Sequence, residues 1–188
     1  NLLGARSGAN VVKFFTVAKL IPISIFIVVG VFFIEKAYFQ PFAPQGMEPL
    51  ADTVLLLLYA YAGFETLVVP AGEMSNPQRS VPKAMFIVMG VVTSVYVLVF
   101  SVAIGTFPGL AGHESPIAEA SRTFMGGAGA TLIAVGIVLS VFGTNSGSAL
   151  VNPRRFFALA ERGDLPRVLA RVSPKTGAPY VSILLTGV

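Results

Sequence analysis

The sequence predicts an all-α integral membrane protein, and three observations support that fold class. Of the 188 residues, 54% are hydrophobic and only 12% are charged, whereas a soluble domain has about 25% charged residues. The mean hydropathy is +0.78. Long apolar runs alternate with short polar connections, and a helix that crosses a hydrocarbon layer of about 30 Å needs roughly 20 apolar residues.

Several kinds of site are excluded by composition. The chain has no cysteine, so it has no disulfide, zinc–thiolate site or thiol nucleophile. Its single histidine, His113, lies in a polar loop and cannot form a histidine-based metal site alone. No catalytic constellation and no basic-aromatic patch for nucleic acid is present. We therefore expect no enzymatic activity, no cofactor, no bound metal and no nucleic-acid partner.

Five apolar stretches are predicted to be membrane helices of a single transmembrane domain that covers residues 1–188. In order, they lie at about 11–34, 53–74, 83–107 and 129–151, with a truncated fifth at 180–188. A short amphipathic helix is expected around Pro116–Phe124. The chain starts without a methionine and ends inside an apolar run, so we expect it to be an internal piece of a longer protein.

The second of these spans, Thr53–Met74, is predicted to be a broken helix. Its second half contains residues that interrupt a helix or are costly in lipid: Gly63, Glu65, Pro70, Gly72 and Glu73. Lipid cannot satisfy the freed backbone groups, so such a helix must face protein or a wet cavity. Secondary transporters hold their substrates at interruptions of this kind.

The distribution of basic residues predicts the orientation. Ten of the thirteen lysines and arginines fall on one side of the alternating spans: Arg6, Lys13, Arg79, Lys83, Arg154, Arg155, Arg162, Arg167, Arg171 and Lys175. The connections on the other side carry only Lys36 and Arg122. By the positive-inside rule, the loops at 75–83 and 152–179 are cytoplasmic and the first span runs from inside to outside. The expected location is a cell membrane, plasma or inner.

Three spans contain polar residues that could have a function. Glu65 lies near the centre of its span, where a carboxylate either marks a pathway or serves as a structural strut. Lys19 either extends back to the interface or stays buried as a switchable cation. Tyr59 could cover a solute or could simply pack. In the fourth span, small polar side chains could contact a substrate or join helices together: Thr144, Asn145, Ser146 and Ser148.

Four motifs resemble those of the amino acid–polyamine–organocation (APC) permeases. YAYAGFE at 59–65 and EMSNPQRSVP at 73–82 are similar to the signature of that family's sixth helix. FFTVAKLIP at 14–22 resembles the fifth helix, and FALAERGDLP at 157–166 resembles the stretch after the eighth. The resemblance covers essentially the whole chain and makes it helices five to eight with the start of nine.

The resemblance implies a five-plus-five inverted repeat, the LeuT-type fold, with substrate held between the broken first and sixth helices. It implies that Ala62, Gly63 and Phe64 form the unwound segment that meets the substrate amino group, with Tyr59 at the aromatic gate. Ser148 falls near the substrate.

The resemblance also implies residues for proton coupling or gating. Glu65 is the acid after the break. Lys19 matches a fifth-helix lysine that replaces a sodium ion in sodium-independent members, and Thr144 faces that lysine.

The implied function is secondary active transport of amino acids or related amines by alternating access, coupled to protons or by exchange. The expected partners are the substrate, the lipid bilayer and the missing N-terminal helices of the same protein. One alternative is a sodium-coupled organic-cation carrier of the same fold. Another is a non-transporting membrane scaffold or sensor subunit.

Overall fold

Every regular element in the described part of the chain is helical, as the sequence predicts. The computed structural model describes residues 5–42, 46–73, 76–174 and 177–187. Its α-helices are α1 (Ala5–Gly30), α2 (Leu50–Tyr61), α3 (Pro77–Thr106), α4 (Pro116–Arg162) and α5 (Tyr180–Thr186). Shorter 3₁₀ helices lie at Val31–Phe33, Lys36–Phe39, Phe64–Glu73 and Arg167–Ala170.

Three helical stretches in the described residues are long and apolar enough to cross a membrane. They are Gly8–Phe33, Pro77–Thr106 and Pro116–Arg162, with mean hydropathies of 2.3, 2.5 and 2.0. At most 17% of the most apolar window in each is buried inside the protein. Their apolar faces therefore point outward, where only lipid or further apolar helices can cover them. Helix α2 is apolar but shorter.

Helix α4 is divided near its start by Gly126. That residue has φ 64° and ψ −153°, a backbone conformation that is essentially restricted to glycine. The residues before it, 116–125, form the short helix that the sequence predicts around Pro116–Phe124. The residues after it continue as helix through the fourth predicted span to Arg162.

The chain forms two compact units, and α1, α3 and α4 contribute residues to both. The first unit comprises Asn1–Lys19, Thr66–Val81 and Ile137–Val188. The second comprises Leu20–Glu65 and Pro82–Gly136.

The second unit has a small apolar core drawn from α1, α3 and α4. Its fully or nearly buried members are Phe26, Val102, Ala103, Ala120 and Ile133. The Phe124 ring lies 5.6 Å from the rings of both Phe26 and Phe33, centroid to centroid. Gly30 brings α1 close to this core, because a Cβ there would touch the Val102 side chain. Small residues at such crossings are what close packing of membrane helices requires.

In the first unit, α1 contacts α4, and the 3₁₀ helix Arg167–Ala170 contacts α5. The Phe15 and Phe142 rings stack with their centroids 6.1 Å apart. A Cβ built on Gly143 would lie 3.1 Å from the Cβ of Phe15, so this glycine permits the contact. The buried Ser182 hydroxyl of α5 donates to the Leu169 carbonyl at 2.8 Å, which fixes the 3₁₀ helix Arg167–Ala170 against the start of α5.

Candidate functional site

The predicted interruption of the second span is present at Ala62 and Gly63. Helix α2 ends at Tyr61, and Ala62 is extended with φ −60° and ψ 145°. Gly63 has φ +110°, in the region that side chains strongly disfavour and that glycine adopts readily. The N–H of Ala62 donates to the Tyr59 carbonyl at 3.1 Å, which tightens the last turn of α2. The chain thus leaves the α-helical path within two residues.

Beyond the break, the segment continues as a 3₁₀ helix and does not resume as an α-helix. It spans ten residues, Phe64–Glu73, whereas 3₁₀ runs longer than three or four residues are uncommon. Pro70 offers one physical reason, because it has no N–H to donate to an α-helical ladder. The side chain of Glu65 lies outside the described part of the structure, so the role predicted for this acid stays a prediction.

The residues around the break are accessible in the second unit. Tyr59 is 85% exposed and Phe64 is 39% exposed, and Ala62 and Gly63 are also exposed. The helix end directs its carbonyl groups toward this segment, and the C-terminal end of a helix carries partial negative charge. The break therefore places the carbonyl end of α2 beside exposed aromatic side chains.

Two tyrosines that the sequence analysis did not single out hold the end of α2 against α3. The hydroxyl of Tyr96 donates to the Ala60 carbonyl at 2.8 Å, and that of Tyr61 donates to Thr93 Oγ1 at 2.9 Å. The two rings meet edge to face with centroids 5.4 Å apart. A tyrosine in an otherwise apolar span was the available signal, because its hydroxyl needs a partner when the ring is buried.

Lys19 is half-buried on α1 in the first unit. It follows Phe15 by four residues, so both lie on the same face of the helix, the face on which Phe15 packs against Gly143 of α4. No carboxylate of the described residues forms an ion pair with Lys19.

Thr144 and Ser148 lie on α4 in the same unit as Lys19. Thr144 directly follows Gly143, where α1 packs against α4, and its hydroxyl donates to the Ser140 carbonyl of its own helix at 3.0 Å. Such a bond to the preceding turn is common for Ser and Thr in helices. Ser148, one turn further on, is exposed.

The predicted site residues thus fall into two groups. Lys19, Thr144 and Ser148 belong to the first unit, and residues 59–65 belong to the second. No group of three or more histidine or acidic residues among those described could hold a metal ion.

Comparison with known proteins gives consistent results. A family model described as amino acid permease matches residues 1–188. The chain is 32% identical to the serine/threonine exchanger SteT of Bacillus subtilis, in a match that covers 97% of this chain and 43% of that protein. It is 27% identical to the branched-chain amino acid permease BcaP of the same organism, covering 98% and 40%. It is 30% identical to the rat large neutral amino acids transporter small subunit 2, covering 99% and 37%.

The chain therefore spans about two fifths of the length of these relatives. Together with its three long apolar helices, the matches identify a multi-pass membrane protein.

Proposed function

Because this chain belongs to the amino acid permease family of the APC superfamily, we propose that it forms part of a secondary transporter for amino acids or related amines. The proposed mechanism is alternating access, driven by protons or by exchange. The substrate crosses the membrane unchanged, so no covalent chemistry and no cofactor is involved.

The observation that carries the proposal is the interruption at Ala62–Gly63. Two residues leave the helical path inside an apolar segment, where lipid cannot hydrogen-bond to the backbone. Transporters of this kind bind charged groups at the ends of interrupted helices. The carbonyl end of α2 suits an ammonium group.

We assign substrate binding to residues around this break and on α4. Backbone groups of Ala62, Gly63 and Phe64 bind the substrate amino group. The exposed ring of Tyr59 covers the bound solute. Ser148 of α4 is assigned to the substrate by the resemblance to the APC permeases alone. The names of the relatives, which refer to exchange of serine and threonine and to transport of branched-chain and large neutral amino acids, support an amino acid as the substrate.

Proton coupling and gating are assigned to Lys19, Glu65 and Thr144. Lys19 is half-buried on α1, and the resemblance to the APC permeases places it at the fifth-helix lysine that replaces a sodium ion. Thr144 follows Gly143, against which Phe15 of α1 packs, and the resemblance to the APC permeases assigns it to face Lys19. The Lys19 ammonium takes the position of a sodium ion, so the proposed transport does not require sodium.

In the proposed topology the loops at 75–83 and 152–179 face the cytoplasm, as the positive-inside rule indicates. The protein sits in the plasma or inner membrane, and its remaining contacts are with lipid and with N-terminal helices of the same protein. Those helices supply the other broken segment and so complete the binding site.

The experiment is uptake of radiolabelled amino acids by the complete polypeptide in proteoliposomes. We expect uptake that accelerates with an imposed pH gradient or with amino acid preloaded inside, and that is unchanged when choline replaces sodium. Strict dependence on sodium would favour the sodium-coupled organic-cation carrier. Absence of uptake for every amino acid and amine, in protein that is correctly folded, would favour the scaffold or sensor.

A further inference from the structure

Two tyrosine hydrogen bonds connect the end of α2 to α3. Neither tyrosine is among the residues assigned to substrate binding, proton coupling or gating. Each helix contributes one phenol and one acceptor. Tyr96 of α3 donates to the Ala60 carbonyl of α2 at 2.8 Å, and Tyr61 of α2 donates to Thr93 of α3 at 2.9 Å. Thr93 and Tyr96 are three residues apart, so they lie on the same face of α3.

The Tyr96 contact satisfies a group that the break leaves without a helical partner. The last four carbonyls of an α-helix lack the N–H donor that the next helical turn would supply. Ala60 is the second residue from the end of α2. In a continuous helix its carbonyl would accept from the N–H of Phe64, but the chain turns away at Ala62 and Gly63. In an apolar segment, where neither lipid nor bulk water donates, the Tyr96 hydroxyl takes that place.

The edge-to-face packing of the rings fixes the orientation of both phenols. Their centroids are 5.4 Å apart at an interplanar angle of 75°, a favoured geometry for aromatic pairs. Both side chains are partly buried. A single hydrogen bond would allow α2 to pivot, whereas two bonds with a ring contact between them oppose rotation as well as separation.

The division of the chain into units is an independent observation on the same point. Helix α2, the residues to Glu65 and α3 from Pro82 belong to one compact unit, whereas Thr66–Val81 belongs to the other. Helix α2 and the break at Ala62–Gly63 thus belong to the same compact unit as the part of α3 that carries Thr93 and Tyr96.

We propose that Tyr96 and Tyr61 form a clamp that makes the end of α2 and α3 one rigid element, so that the interrupted segment flexes only at Ala62–Gly63. Tyr96 is a positioning residue: it touches no substrate and acts by holding the backbone that does. The role in turnover rests on the proposed transport function, but the clamp itself does not.

The test combines a conformational readout with a transport readout. This chain has no cysteine. In the complete polypeptide, with any cysteine outside this chain replaced, a single Ala62→Cys reports the accessibility of the joint through its rate of reaction with a membrane-permeant maleimide. In that background, Tyr96→Phe should raise the labelling rate about two- to tenfold, the range expected from loss of one hydrogen bond. Tyr61→Phe should raise it less, because its bond joins side chains and leaves the Ala60 carbonyl paired.

Transport is measured in the complete polypeptide without the introduced cysteine. Tyr96→Phe should lower the maximal uptake rate by about two- to tenfold and leave the KM for substrate within about twofold, because the ring and the binding residues remain. The matched control is Ser94→Ala on the same helix. The Ser94 hydroxyl donates to the Gly90 carbonyl of α3 itself, so both readouts should stay at the wild-type value.

A labelling rate in Tyr96→Phe equal to that of the wild type, or equal changes in Ser94→Ala, would overturn the clamp. Raised labelling with an unchanged maximal rate would remove Tyr96 from turnover. If the wild-type protein transports no amino acid, the proposed function fails, and the labelling rates still decide whether the clamp exists.

Discussion

Replacing Gly63 by alanine tests the joint with the smallest possible perturbation. An added Cβ meets no described atom within 4 Å, so the substitution introduces no clash with the described part of the protein. What it changes is the conformational energy of a residue held at φ +110°. The cost is therefore backbone strain, which is separable from packing.

The magnitude follows from a comparison of two glycines. Holding an L-residue in a sparsely populated φ/ψ region costs about 1–3 kcal/mol. Gly→Ala also restricts the unfolded chain, which stabilises the folded state by about 0.4–1 kcal/mol. Gly90 of α3 likewise has open space around it but lies in regular helix. Gly90→Ala therefore restricts the unfolded chain without adding backbone strain to the folded state. The difference in unfolding free energy between the two variants is thus the strain at Gly63, about 1–3 kcal/mol.

The assay is unfolding of the complete polypeptide in mixed micelles, followed by circular dichroism with wild type and both variants in parallel. We expect Gly63→Ala to be less stable than the wild type and Gly90→Ala to be as stable or more so. Equal unfolding free energies for the two variants would refute the argument, because the Gly63 backbone would then tolerate a side chain without strain.

Three further predictions concern charge and packing. Lys19→Met should abolish the pH dependence of uptake, since the proposed coupling cation is removed; unchanged pH dependence would exclude Lys19 from coupling. Glu65→Gln should lower the turnover rate more than the affinity for substrate, as measured by uptake kinetics and binding, and wild-type turnover would reduce Glu65 to a strut. Gly30→Ala should destabilise the second unit by about 1–3 kcal/mol through overpacking, because its Cβ would touch Val102 and lie 3.0 Å from Phe124 Cζ. Thermal unfolding measures this loss. Val102→Ala, which alone removes a buried side chain, should cost less in the Gly30→Ala background than in the wild type, and equal costs would exclude the contact as the cause.

The sequence was sufficient to predict the all-α class and the position of the break. Uncharged apolar runs gave α3 and most of α4, because a charge within a membrane span is costly. Gly63 indicated the interruption, because glycine weakens a helix and also adopts positive φ readily. Both signals are local in the chain, which is why they can be read without a structure.

Features that depend on how helices face one another could not be predicted. The contacts of Tyr61 with Thr93 and of Tyr96 with Ala60 join residues 32 and 36 positions apart, and their pairing depends on the rotation of α2 relative to α3. The 3₁₀ conformation of Phe64–Glu73 is equally invisible to a hydropathy pattern, since an apolar α-helix and an apolar 3₁₀ helix have the same composition.

The division of α4 at Gly126 limits the substitutions that this protein can tolerate there. Gly126 and Gly127 are neighbours and both have free space where a side chain would go, yet only Gly126 has a positive φ, at 64°. Any substitution at Gly126 places a Cβ in a conformation reserved for glycine, whereas Gly127 can change without this strain. Two adjacent glycines that look equivalent in the chain thus differ in mutational freedom, and the loss of one cannot be compensated by the other.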